Sequence, residues 1–179
     1  MGSQVDIASL AAFHAASVER MAGNLAGAEA ELRAGYEILD RLGESGLRST
    51  VAANLADVLL ARGRLEEAQA FLLISDTTAA SDDLASLVPL RLIRARMQAQ
   101  LGQWEKAETL VLQALELLEG TDDVEARADA LISLTRALSG AGKTGEAVAA
   151  AEEAVRLCDQ KGNIVMRRDA SRLLDELAG

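Results

Sequence analysis

One short turn recurs along this chain at a nearly fixed interval, and it restricts the fold more than any other feature. Its copies are Gly23-Asn24-Leu25-Ala26-Gly27-Ala28, Gly63-Arg64-Leu65-Glu66-Glu67-Ala68, Gly102-Gln103-Trp104-Glu105-Lys106-Ala107 and Gly142-Lys143-Thr144-Gly145-Glu146-Ala147. The glycines stand 40, 39 and 40 residues apart, each with an alanine five residues on. Self-similarity at a period of this size marks a solenoid. Each glycine sits where one helix must stop and another must start at once. Gly enters the left-handed C-terminal cap without the penalty that a Cβ imposes. The alanine falls one turn into the second helix, where a small side chain lets two helices approach closely. The chain therefore reads as a stack of helical hairpins.

Further columns keep the same register. Ala16, Ala56, Ala95 and Thr135 lie twelve residues before the alanines, and Gly35, Ser75, Ala114 and Ala154 lie seven after them. Leu25, Leu65, Trp104 and Thr144 stand three before, and Leu32, Leu72, Val111 and Ala151 four after. Small residues facing small residues, flanked by larger apolar ones, pack ridges into grooves at short interaxial distance. This pattern resembles the tetratricopeptide repeat family across most of the chain. Two departures stand out: the period is near 40 rather than about 34, and the family's Pro after the second helix is missing.

Half of the 179 residues are apolar but only 2% are aromatic, so the core must be built mainly from Leu and Ala, which favours helix. The expected fold is all-α, a right-handed α-solenoid of about four hairpins in one domain, 1–179. The repeats span about 5–42, 47–75, 83–119 and 124–160, followed by a capping helix over 164–178. That last helix carries Arg168, Arg172, Asp175 and Glu176, charges that suit the solvated end of a stack. Within the third repeat, Pro89 either kinks its helix or begins it, and a kink is the favoured reading. Asp76 to Asp82 is the best loop segment, with Ser81 or Asp82 capping the helix that follows. Asp122 and Glu125 have capping-box spacing.

The net charge is −10, which argues against binding nucleic acid, where cationic side chains must displace counterions. Arg167, Arg168 and Arg172 form the one basic cluster and read as a solvated helix face. No run of 18 or more apolar residues occurs, so no membrane partner is expected. The single cysteine, Cys158, excludes an intrachain disulfide framework and suits a reducing cytoplasm.

No catalytic constellation, cofactor site or metal site emerges from the sequence. Ala137 to Thr144 matches a relaxed phosphate-loop pattern, but such a loop needs a strand before it. Here a helix precedes it, and Gly142 falls on the turn column. His14 is the only histidine and reads as a partly packed surface residue. Cys158 reads as a buried structural thiol. Asp82-Asp83 and Asp122-Asp123 fall at helix starts, where the positive end of the helix dipole accounts for them.

The resemblance to tetratricopeptide repeat proteins implies a non-catalytic module that binds a protein or peptide segment. It also implies that the first helix of each hairpin lines a concave groove. Phe13 and Arg20, Asp57 and Leu60, Leu92 and Arg96, and Asp129 and Arg136 lie on the stripes beside the packed one. Arg96 and Arg136 either fork around an acidic partner residue or pair with Asp57 and Asp129. The family's clamp for C-terminal carboxylates is expected to be absent, because its Lys and Asn positions match Phe13 and Ser17. Gly35 to Glu44, Leu55 to Leu59 and Ala154 to Asn163 are similar to the C-terminal repeat region of large bacterial signalling proteins. Those proteins join nucleotide cyclase and ATPase domains to such repeats. That likeness implies a sensor arm packed on an ATPase domain of its own protein.

Overall fold

The computed structural model describes residues 2–78 and 84–179, with side chains described over 11–75 and 87–179. Among the described residues there are nine helices and no strand. They are α1 (Gly2–Met21), α2 (Leu25–Arg41), α3 (Gly46–Ala61), α4 (Leu65–Thr78), α5 (Leu84–Gln100), α6 (Trp104–Leu117), α7 (Val124–Gly140), α8 (Thr144–Lys161) and α9 (Ile164–Ala178).

The glycine column does what the sequence requires of it. Gly23, Gly63, Gly102 and Gly142 have φ of +76°, +73°, +70° and +76°, the left-handed region. At Gly63 the next amide, Arg64 N, donates to Leu59 O at 2.9 Å, and Gly63 N donates to Leu60 O at 2.9 Å. At Gly142 the same pair recurs: Lys143 N to Leu138 O at 2.9 Å and Gly142 N to Ser139 O at 3.0 Å. Each turn thus satisfies the free carbonyls of the helix it ends. The carbonyl after the glycine then accepts from the column alanine, Arg64 O from Ala68 N and Lys143 O from Ala147 N, both at 3.0 Å. Three residues separate the two helices, Arg62 to Arg64 at the first turn and Ala141 to Lys143 at the second.

The chain forms two compact units, Met1–Ser86 and Leu87–Gly179. In unit 1, α1 packs on α2, α2 on α3 and α3 on α4, and α1 also touches α3. Ala16, Ala28, Ala56 and Ala68 are buried, as the small columns require. Ser75 is buried too, and its carbonyl accepts from Ser49 Oγ at 3.3 Å, which ties α3 to α4. Leu32, Leu39, Leu55 and Leu59 are fully enclosed, each a gain of roughly 1.5–3 kcal/mol over exposure.

Unit 2 is built the same way, with α6 on α7, α7 on α8, α8 on α9 and α7 also against α9. Its core joins Val88, Leu92 and Ala95 of α5 to Val111, Ala114 and Leu118, then to Leu131, Leu138, Leu157 and Leu173. Thr135 holds a small column without an unpaired hydroxyl, since its Oγ donates to Leu131 O at 2.8 Å. Trp104 lies on the backbone of Gly140, where a Cβ would come within 2.4 Å of its Cε3.

Two expectations change and a third narrows. Of the two readings of Pro89, a helix that begins there is ruled out: α5 starts at Leu84 and runs through Pro89, which is exposed in its second turn. Near a helix start the lost amide costs one bond only, and the ring faces solvent. The cap of α7 is Asp123, whose side chain accepts from Ala126 N at 2.9 Å, so Asp122 and Glu125 form no capping box. Glu125 instead accepts from Asn163 at 2.6 Å. α4 continues to Thr78, past the segment expected to open a loop, and Ser81 and Asp82 lie outside the described residues.

Candidate functional site

The first helices of each unit carry the expected site residues, and their neighbours decide what those residues can do. In unit 1, Arg20 of α1 meets Asp57 of α3, with Nη1 to Oδ2 at 3.1 Å. Asp57 is nearly buried, whereas the Arg20 side chain is 44% exposed. Phe13 is half-buried and lines an open recess of about 260 Å³ together with Ala16, Ser17, Arg20, Leu32 and Asn54. One Asn54 amide hydrogen is taken by Thr50 O at 2.9 Å. The recess has an aromatic wall, a methyl-rich floor and a polar rim, a form suited to one large side chain.

In unit 2, Arg96 of α5 meets Asp129 of α7, with Nη2 at 2.6 Å from both carboxylate oxygens. One period later Arg136 of α7 meets Asp169 of α9 at 2.7 Å. Both pairs span 33 residues, so they form one motif repeated: an arginine late in one first helix, an aspartate early in the next. Asp169 also accepts from Arg172 at 3.0 Å, and Arg172 reaches Glu176 at 2.8 Å. Burial pushes the Asp169 carboxyl up, but bonds and charges from Arg172 and Arg136 outweigh it and hold it below the usual range.

Of the two fates expected for the arginines, Arg96 takes the pairing with Asp129, whereas Arg136 pairs with Asp169 and not with Asp129. Leu60 and Leu92 are corrections: each is only 2% exposed, so neither is free to touch a partner. Both lie beside the packed stripe, and an aliphatic side chain there turns inward to escape water. Phe13, Arg20, Arg96, Asp129 and Arg136 remain accessible.

A second charged cluster was not legible as a site. Glu29 of α2 is 6% exposed, and its carboxylate bonds Arg33 at 2.7 Å, Arg64 at 2.6 Å and Arg62. Glu67 links back to Arg33 at 2.9 Å and to Arg64. Burial raises the Glu29 carboxyl, but the bonds and charges of Arg33 and Arg64 together hold it below the usual carboxylate range. In unit 2 the same two columns hold Glu108 and Lys143, with Nζ at 2.8 Å from both oxygens. Each clasp pins the turn of one hairpin to the second helix of the hairpin before. The signal was present in the sequence as Glu29/Arg64 and Glu108/Lys143, both 35 residues apart.

That clasp also explains the phosphate-loop likeness. Gly142-Lys143-Thr144 joins two helices, and the bond to Glu108, aided by its charge and those of Glu146 and Glu105, holds the Lys143 ammonium above its usual range. His14 is exposed, beyond the partial packing expected of it. Cys158 is buried, and that burial, with the charges of Asp159 and Glu125, pushes its thiol up. Among the described residues no helix is long and apolar enough to cross a membrane.

Two family models, both described as tetratricopeptide repeat, match the chain over residues 89–160 and 50–73. Together they span just over half of it, and each falls on hairpins with the small columns and glycine turns described above. The chain is a tetratricopeptide repeat protein. Tetratricopeptide repeats are protein–protein interaction modules and are generally non-catalytic. No curated protein matches this chain. In tetratricopeptide repeat terms, the paired residues Arg20–Asp57, Arg96–Asp129 and Arg136–Asp169 all join successive first helices.

Proposed function

We propose that this tetratricopeptide repeat protein is an adaptor that holds a peptide segment of a partner protein against its first helices. The observation that carries this reading is the recess beside Phe13 and Arg20, which opens on the first-helix face of unit 1. It takes one large side chain of the segment, and Arg20 takes an acceptor beside it. In unit 2 the Arg96–Asp129 and Arg136–Asp169 pairs present both signs within a few ångströms, so a charged segment must exchange with an existing pair. Such exchange yields little net affinity and favours a weak, salt-sensitive contact.

The test uses a partner recovered from lysate of the source cell and identified. Phe13→Ala with Arg20→Gln, which leaves Asp57 a hydrogen-bond donor, should abolish its binding at little cost in melting temperature, and Leu73→Glu on the exposed face of α4 should not. If the α4 variant abolishes binding and the α1 variant leaves it intact, the first-helix face is not the site.

A second reading rests on the likeness of residues 35–44, 55–59 and 154–163 to repeats of large bacterial cyclase–ATPase signalling proteins. The chain is then a regulatory arm whose partner is an ATPase domain of its own polypeptide. Co-purification that requires such an upstream domain, rather than a separate protein, separates this reading from the first.

A further inference from the structure

The columns that line the recess of unit 1 are closed in unit 2, and the repeat register shows how. The column of Phe13 holds Leu92 and Ile132 in unit 2, and that of Asn54 holds Ser133 and Leu173. All four are buried. Phe13 and Asn54 are only half-buried, and they leave a gap of about 260 Å³ beside the enclosed Leu32. The opening is thus a property of these particular side chains and not of the repeat.

The arginine is placed differently too. Arg96 and Arg136 share the column of Ser17, and each reaches an aspartate early in the next first helix. In α3 that aspartate column holds Thr50, whose carbonyl accepts from Asn54. α1 carries its arginine three positions later, at Arg20, which meets Asp57 and lines the recess. Arg20 makes one bond among the described residues, from Nη1, so its Nε and Nη2 hydrogens are left for an entering group. Asn54 gives one amide hydrogen to Thr50 and keeps its carbonyl oxygen as an acceptor.

An occupant that satisfies this rim must both accept and donate a hydrogen bond. A carboxylate finds Arg20 already beside Asp57, and an ammonium meets the Arg20 charge. Aliphatic and phenyl side chains answer neither Arg20 nor Asn54. A carboxamide answers both but brings no ring to the Phe13 wall. A phenol does all three: its ring packs edge-on against Phe13, and its hydroxyl accepts from Arg20 and donates to Asn54 Oδ1. We propose that the recess is a pocket for a tyrosine side chain of the bound segment. This specificity rests on the first-helix reading and names the residue that reading left open.

The experiment selects binders to the full chain from a phage library of random peptides. Tyrosine is expected at one fixed position of the recovered sequences. Replacing it by Phe should weaken binding about fivefold, the worth of one net hydrogen bond. Asn54→Leu is the deciding variant, because Leu173 already packs in that column of unit 2. It removes the acceptor and should narrow the preference for Tyr over Phe to about twofold. Peptides that need Phe13 and Arg20 but share a different residue overturn the tyrosine pocket and leave the first-helix reading standing. So does a preference that Asn54→Leu leaves unchanged. Peptides indifferent to Phe13→Ala with Arg20→Gln overturn both, and a library that yields no binder overturns the pocket.

Discussion

Unit 1 and unit 2 repeat one backbone plan, but different side chains hold them together. Unit 1 joins neighbouring hairpins through the Glu29 cluster, with three arginines around one enclosed carboxylate. It adds an edge-on Tyr36–Phe71 pair, ring centres 5.4 Å apart, with Arg33 over the Phe71 face. Unit 2 uses a longer aliphatic core, the Trp104–Gly140 contact and a single exposed clasp, Lys143 to Glu108. The family pattern follows the same division, running through residues 89–160 in unit 2 but only 50–73 in unit 1. The turn glycines and small columns are common to both units. They set the geometry, and the residues around them are free to differ in chemistry.

The sharpest test of that shared part should give equal results in the two units. Ala68→Leu and Ala107→Leu each overfill a closed crossing and should cost about 1–3 kcal/mol, seen as a lower melting temperature. A large effect from one and none from the other breaks the equivalence. Gly140→Leu should hurt by a similar amount, about 1–3 kcal/mol, because the Trp104 ring occupies the space of its Cβ. Ala61 holds the matching column in unit 1 and is exposed, so Ala61→Leu should be nearly neutral.

The clasps should separate the units. Glu29→Gln removes the enclosed charge that three arginines, each about one-third exposed, bond together, which costs roughly 1–2 kcal/mol. Glu108→Gln breaks a pair whose lysine is 41% exposed and should cost under about 1 kcal/mol. Hydrogen exchange resolved by unit should show the first change in unit 1 and the second in unit 2. Acid sharpens the contrast. Glu29 has a folded-state pKa below its unfolded value of about 4.3, so its contribution is complete above that pH. It is lost as pH falls through the lower, folded value. The gap in melting temperature between wild type and Glu29→Gln should hold from pH 7 to 5 and close below about 4. A gap that widens in acid contradicts the charge cluster.

The smallest effect is expected from Arg136→Ala, whose pair with Asp169 is about two-fifths exposed. It should cost at most about 1 kcal/mol and less at high salt. A larger loss would mean that the arginine–aspartate motif joins first helices as strongly as the small columns do.

How much of this was legible follows from which residues have no alternative. A left-handed cap selects Gly, and a close crossing selects Ala, Ser or Gly, so the hairpins and their register could be read directly. Asp123 was harder to read, because Asp122 beside it offers the same side chain and only the backbone selects between them. Leu60 and Leu92 share a stripe with polar residues, and a linear pattern does not show how far each turns inward. Arg136 was assigned Asp129, on its own helix, although Asp169 repeats at the distance that joins Arg96 to Asp129. The Glu29 cluster was missed because its members lie in different hairpins and share no local motif.

The enclosure of Cys158 has a practical consequence. It is the chain's only thiol, it sits in the core of unit 2, and it is 1% exposed. A thiol reagent must wait until the structure around it opens, because inside the core burial raises the thiol and keeps the reactive thiolate scarce. Labelling rate therefore serves as a built-in clock for unit 2. Exchange at the amides of α2 and α3 times unit 1. Run side by side under mild denaturant, the two clocks tell whether the chain unzips from one end or lets go all at once.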